Sequence, residues 1–228
     1  AFEAQESFHA TTYEHLRTVK EIFPVLSSVE YLKDFNRLKE SISQKYPDES
    51  LITTLQTAEK FLKENVITID RYANYLTHTD FVPHNFRLVE HTLYMLDCVP
   101  NYATIHFGNK YEGWARFLNY MLIHSTELER ILTKYVRDNR GEDEYLSLRL
   151  MRAYKIAFLL DYYARSLEKT IGDLHKLTLA RLEYWREALT AILKNRPVAK
   201  EVTEKYIATR NALRSEEEKK RQREFAIA

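Results

Sequence analysis

The stretch DEYLSLRLMRAYKIAFLLDYYARSLEKTI, residues 143–171, decides the fold. Leu146, Leu150, Ala153, Ala157, Leu160 and Ala164 recur at steps of three and four, which puts them on one side of a helix. The run lasts far longer than a strand and has no internal Gly or Pro, so it reads as one long amphipathic helix. NRGED, residues 139–143, is the turn before it, and Gly172 the break after it.

Outward from this helix the same period returns. Residues 110–140 carry Trp114, Phe117, Leu118, Met121, Leu128, Leu132 and Tyr135, a seam that predicts a second long helix. Residues 173–195 supply a third with Leu174, Leu177, Leu182, Leu189 and Ile192. Earlier segments are shorter. Residues 7–23 end at Pro24; SSVE at 27–30 reads as a capping box opening a helix to Tyr46, and Asp48 caps a helix to Asn65. The residues 68–79, closed by Pro83, and 84–98, with Phe86, Val89, Leu93 and Leu96, are also expected to be helical. Pro197 begins a final segment, and register shifts of helical-repeat length reveal no repeat.

The expected architecture is therefore all-α: an antiparallel bundle of about seven to nine helices around three long central ones. Residues 1–213 are read as one domain and 214–228, containing RSEEEKKRQREF, as a charged helical extension or tail. Four Gly and five Pro in 228 residues are too few for a chain built of tight hairpins.

Composition excludes several functions. With 34 Lys and Arg against 33 Asp and Glu there is no broad positive field for nucleic acid. Cys98 stands alone, so neither an intrachain disulfide nor a thiolate zinc site forms, and a reducing intracellular compartment is expected. No apolar run reaches the ~20 residues of a membrane-spanning helix. The start AFEAQESF lacks Met, which fits either a trimmed sequence or a cleaved organelle presequence and makes a mitochondrial setting the first to try.

Catalytic constellations are sparse. Di-iron bundle chemistry needs two Glu-x-x-His pairs; ESFH supplies only Glu6 and His9, and HSTE only His124 and Glu127. No aspartate-rich run suits prenyl-diphosphate chemistry. GNKYEG, residues 108–113, lacks the Lys-Ser/Thr of a phosphate loop and reads as a turn into a helix. Cys98 before a Val-Pro pair reads as a small hydrophobe, serines lack a glycine elbow, and the eight histidines are dispersed. Asp161, set among apolar neighbours, falls beside the seam within reach of Arg165 four residues on, so it reads as an ion pair rather than a catalytic acid. Metal, cofactor and catalytic residues are accordingly assigned to none.

Sixteen Tyr and eleven Phe are the unusual surplus. Trp114, Phe117, Tyr120, Tyr184, Trp185 and Phe225 are candidates for contact with other protein subunits, since aromatics anchor interfaces. Arg130, Lys134, Arg137, Arg149, Arg152 and Lys155 flank the 139–143 turn as a candidate basic patch for phosphate or anionic lipid. The expected function is a non-catalytic structural and interaction subunit of a larger assembly, such as an accessory subunit of a mitochondrial complex. Alternatives are a peripheral membrane-binding or adaptor module, and a helical-bundle ligand-binding protein or enzyme with a pocket between the long helices.

Overall fold

A computed structural model describes residues 2–97, 105–217 and 219. Among them ten α-helices build an all-α bundle: α1 Phe2–Tyr13, α2 Leu16–Ile22, α3 Ser28–Lys45, α4 Glu49–Glu64, α5 Val66–Arg71, α6 Tyr111–His124, α7 Thr126–Arg140, α8 Glu142–Ser166, α9 Gly172–Leu193 and α10 Lys200–Leu213. Four short strands, β1 Tyr75–His78, β2 Phe86–Val89, β3 Thr92–Met95 and β4 Ile105–Gly108, interrupt the middle of the chain.

The decisive stretch forms α8, and α8 is the axis of the molecule, with α3, α6 and α9 packed around it. Gly141, at φ +84, admits the left-handed turn before it. Glu142, Asp143 and Glu144 then meet the positive end of the helix dipole and Arg165 the negative end. Besides the seam Ala residues, Leu148, Met151, Tyr154 and Ile156 are buried, so the helix is enclosed on several sides rather than along one stripe. Around it, α3 contributes Tyr31, Phe35, Leu38 and Ile42, and α4 contributes Leu51, Leu55, Ala58 and Leu62. The capping box at Ser27 and Glu30 and the Asp48 cap are both formed.

Several expected elements differ. The 110–140 run is two helices, because Ser125 takes φ −157 and its hydroxyl accepts the Leu128 N–H, capping α7 anew. The 7–23 segment likewise breaks between α1 and α2. The expected helix over 84–98 is instead the antiparallel hairpin β2–β3, with Phe86 opposite Met95 and Val89 opposite Thr92, turning at Glu90 with φ 54. Its Leu88, Val89, Leu93 and Tyr94 are exposed, so the apolar spacing that suggested a helix does not mark a buried face. The expected helix over 68–79 stops at Arg71; Tyr75–His78 pairs with Ile105–Gly108, a partner some thirty residues away that local periodicity does not reveal. Cys98 and Phe225 lie outside the described residues, as does most of the charged C-terminal segment. No helix among the described residues is long and apolar enough to cross a membrane.

Candidate ligand-binding cleft

Three helices and one turn leave a cleft of about 1040 Å³ between them. The core face of α3 points Tyr31 and Phe35 inward, which turns Glu30, Lys33, Asp34 and Arg37 to the next stripe of the same helix. Thr79 and Asp80, after β1, close one side. Glu112 and Arg116, one turn apart on α6, supply a second wall, and Tyr154, Lys155, Phe158, Leu159, Tyr162 and Tyr163 on α8 the third.

The floor is a buried charge cluster centred on Glu112. Its Oε2 accepts from the Tyr31 hydroxyl at 2.6 Å and lies 2.8 Å from His106 Nε2, and its Oε1 accepts from Lys155 Nζ at 3.0 Å. A carboxylate oxygen only accepts, so the His106 hydrogen on this contact is on Nε2. Glu112 is 1% exposed, and burial alone would push its carboxyl up; His106, Lys155 and Tyr31 outweigh that and hold it well below the ordinary carboxylate range. The Tyr31 hydroxyl also accepts the Asn109 N–H at 2.9 Å, tying the cluster to the loop that enters α6. Burial first, then Glu112, pushes the Tyr31 hydroxyl far above its usual range, so it stays protonated as a donor. Gly108 is required here, because a Cβ at that position would stand 2.3 Å from the Tyr31 hydroxyl.

Next to this floor the Tyr154 hydroxyl donates to Asp34 Oδ2 at 2.9 Å, while Arg37 binds Asp34 Oδ1. Arg116 Nε donates to Asp80 Oδ1 at 3.0 Å. The cleft therefore joins an aromatic wall to a fixed set of alternating charges.

The residues singled out from the sequence are distributed otherwise. Trp114, Phe117, Tyr184 and Trp185 are buried in the chain's own core: the Trp114 ring stacks on Phe2 and the Tyr184 ring on Tyr206. Tyr120 stacks on His124. These aromatics pack the bundle and present no common outer face. Nor do the six bases form one surface patch. Arg152 is buried against Glu129 at 2.5 Å, Lys155 belongs to the cleft floor, and Arg149 donates to the Ile192 and Leu193 carbonyls at the end of α9. Arg137 bonds the Tyr145 hydroxyl and Asn195, while Arg130 and Lys134 make exposed pairs with Glu127 and Asp138.

Asp161 does pair with Arg165, at 2.7 Å; it lies buried, 2% exposed, and the Ser41 hydroxyl of α3 satisfies its other oxygen. His124 and Glu127 do not meet Asp161: one stacks on Tyr120 and the other is spent on Arg130. Glu6 reaches Arg140 at 3.6 Å. His9 is buried, which lowers its pKa to about 3. Among the described residues no three His, Cys, Asp or Glu side chains gather as metal ligands.

Lys155 is the one cleft residue among the earlier candidates, there as a surface base. Glu112 carries a faint signal in the sequence, an acid with Arg116 four residues on in a mostly apolar helix, whereas nothing local marks His106 or Tyr31. No protein family, curated protein or solved structure matches the chain.

Proposed function

We propose that this chain is a helical ligand-binding protein that takes a small organic molecule in the α3–α6–α8 cleft. The supporting observation is the cleft itself: a volume suited to such a ligand, an aromatic wall on α8, and a charge cluster buried at its floor. The reading is one of binding and assigns no catalytic step. It is tested by a thermal-shift screen of small organic molecules on the native chain and on Leu159→Trp, which fills the cleft. Hits whose shift disappears in the variant support the reading; shifts unchanged by Leu159→Trp, or no hits, count against it.

A second reading keeps the interaction subunit of a larger assembly, with a reducing compartment and a mitochondrial complex as the first setting to examine. What favours it is the β2–β3 hairpin, whose Leu88, Val89, Leu93 and Tyr94 are turned to solvent. Replacing Leu88 and Tyr94 by Ser should then abolish co-purification of a defined partner while leaving the fold intact; unaltered co-purification would remove this reading.

A further inference from the structure

The donors and acceptors of the cleft are unequally committed. Every carboxylate on its walls already takes hydrogens from the protein. Asp34 holds Arg37 and Tyr154, Glu30 the Ser27 N–H, Asp80 both Arg116 and Asn85, and Glu112 its three partners. The cations are not used up in the same way. Lys155 gives one hydrogen to Glu112, and its other two have no acceptor among the described residues, although the residue is only 9% exposed. Among the described residues Arg116 donates through Nε alone, which leaves the four hydrogens on its terminal nitrogens for another acceptor. A buried ammonium with unspent hydrogens is costly unless something accepts them.

We propose that the cleft selects an organic anion with an aromatic body: its carboxylate or sulfonate group bridges Lys155 Nζ and the Arg116 guanidinium, and its ring lies on Phe158, Tyr162 and Tyr163. This rests on the small-molecule reading above. Both cations line the same cleft: Arg116 stands one turn beyond Glu112 on α6, and Glu112 holds the Lys155 ammonium at 3.0 Å. Among the described residues each oxygen of Asp34, Asp80 and Glu112 already takes a hydrogen from the protein, whereas Lys155 and Arg116 keep N–H groups with no acceptor. The Lys155 ammonium also sits 5.0 Å from the Phe158 ring centre, so the anion-binding point and the aromatic wall adjoin.

The experiment compares two fluorescent probes of nearly the same shape on the full chain: 1-anilinonaphthalene-8-sulfonate, an anion, and N-phenyl-1-naphthylamine, which is uncharged. The anion should bind roughly tenfold or more tightly than the neutral probe, as a charge-assisted hydrogen bond implies. Arg116→Gln should lower only the anion's affinity, by about the same factor, and Leu159→Trp should displace both probes. If both probes bind, Leu159→Trp displaces both, and neither the sulfonate nor Arg116 matters, the anion assignment falls while the cleft reading stands. If Leu159→Trp displaces neither, the probes bind elsewhere and both readings fall. Should Arg116→Gln fail to fold, the wild-type affinity ratio decides alone: equal affinities overturn the assignment.

Discussion

Replacing Glu112 by Gln isolates the charge at the centre of the cleft floor while keeping its shape. A glutamine presents one carbonyl oxygen and one NH2 group in place of two acceptors. If the oxygen takes Tyr31 and His106, the NH2 confronts the Lys155 ammonium; if it faces Lys155, the NH2 confronts the donors of Tyr31 and His106. In the first arrangement a buried donor meets a donor; in the second, Tyr31 must turn its hydroxyl hydrogen away and His106 must move its hydrogen to Nδ1, and in both the Lys155 charge, 3.0 Å from the former carboxylate, loses its counter-ion. Breaking a buried pair by removing one partner costs about 3–5 kcal/mol. For a chain of this length each kcal/mol moves the melting temperature by roughly 2–4 °C, so a fall of about 6–20 °C is expected by calorimetry. Lys155→Met in the Glu112→Gln background should recover part of the loss, because the uncompensated ammonium goes with it.

The pH dependence follows from the same carboxyl. Its folded-state value lies below its ordinary 4.5, so its stabilisation is present above that value and is lost progressively as the pH falls below it. Glu112→Gln should therefore show a flatter acid limb of stability than the native chain. A loss under about 1 kcal/mol, or an acid limb parallel to that of the native protein, would refute the claim that a charged carboxylate is buried and held by these three partners.

Gly108→Ala should lower stability by about 1–3 kcal/mol in urea unfolding, since the new methyl overlaps the Tyr31 hydroxyl and the His106 ring; an unchanged midpoint would contradict the close approach. By NMR, His9 should titrate near pH 3 and His124 near pH 4, both depressed first by burial, so their contribution to stability is present above about 6.5 and lost as the pH falls through those values. Midpoints near 6.5 would show both rings to be hydrated. Arg149→Ala should cost about 1–3 kcal/mol by leaving the carbonyls at the end of α9 without their donor, whereas Arg130→Ala, which removes a solvated pair with Glu127, should leave the unfolding midpoint in place. Equal effects would mean that the bases do act as one group.

The sequence made the helices legible wherever one apolar stripe faces one core. The α3 cap, the Asp48 cap, the α8 seam and the turn at Gly141 are local features, settled by residues within a few positions of each other. The strands were not legible, because β1 owes its form to β4, far along the chain, and because the hairpin's apolar side chains face solvent. Ser125 shows the limit of periodicity: the stripe continues through it, yet its hydroxyl starts a new helix. The cleft was hidden for a related reason. Glu112, Lys155, Tyr31 and His106 come from four separate elements, and a charged residue looks the same in sequence whether it is solvated or paired inside. Of the aromatics read as contact surface, Trp114, Phe117, Tyr184 and Trp185 fill the core, and others of the surplus, Tyr154, Phe158 and Tyr163, wall the cleft.

Chemical-shift mapping on isotope-labelled protein tests the central claim most directly. On titration with 1-anilinonaphthalene-8-sulfonate, saturable shifts should gather at Arg116, Phe158, Leu159, Tyr162 and Tyr163, around one site between α3, α6 and α8. Shifts confined to the β2–β3 hairpin, or spread over the surface without saturation, would contradict a ligand cleft in this fold.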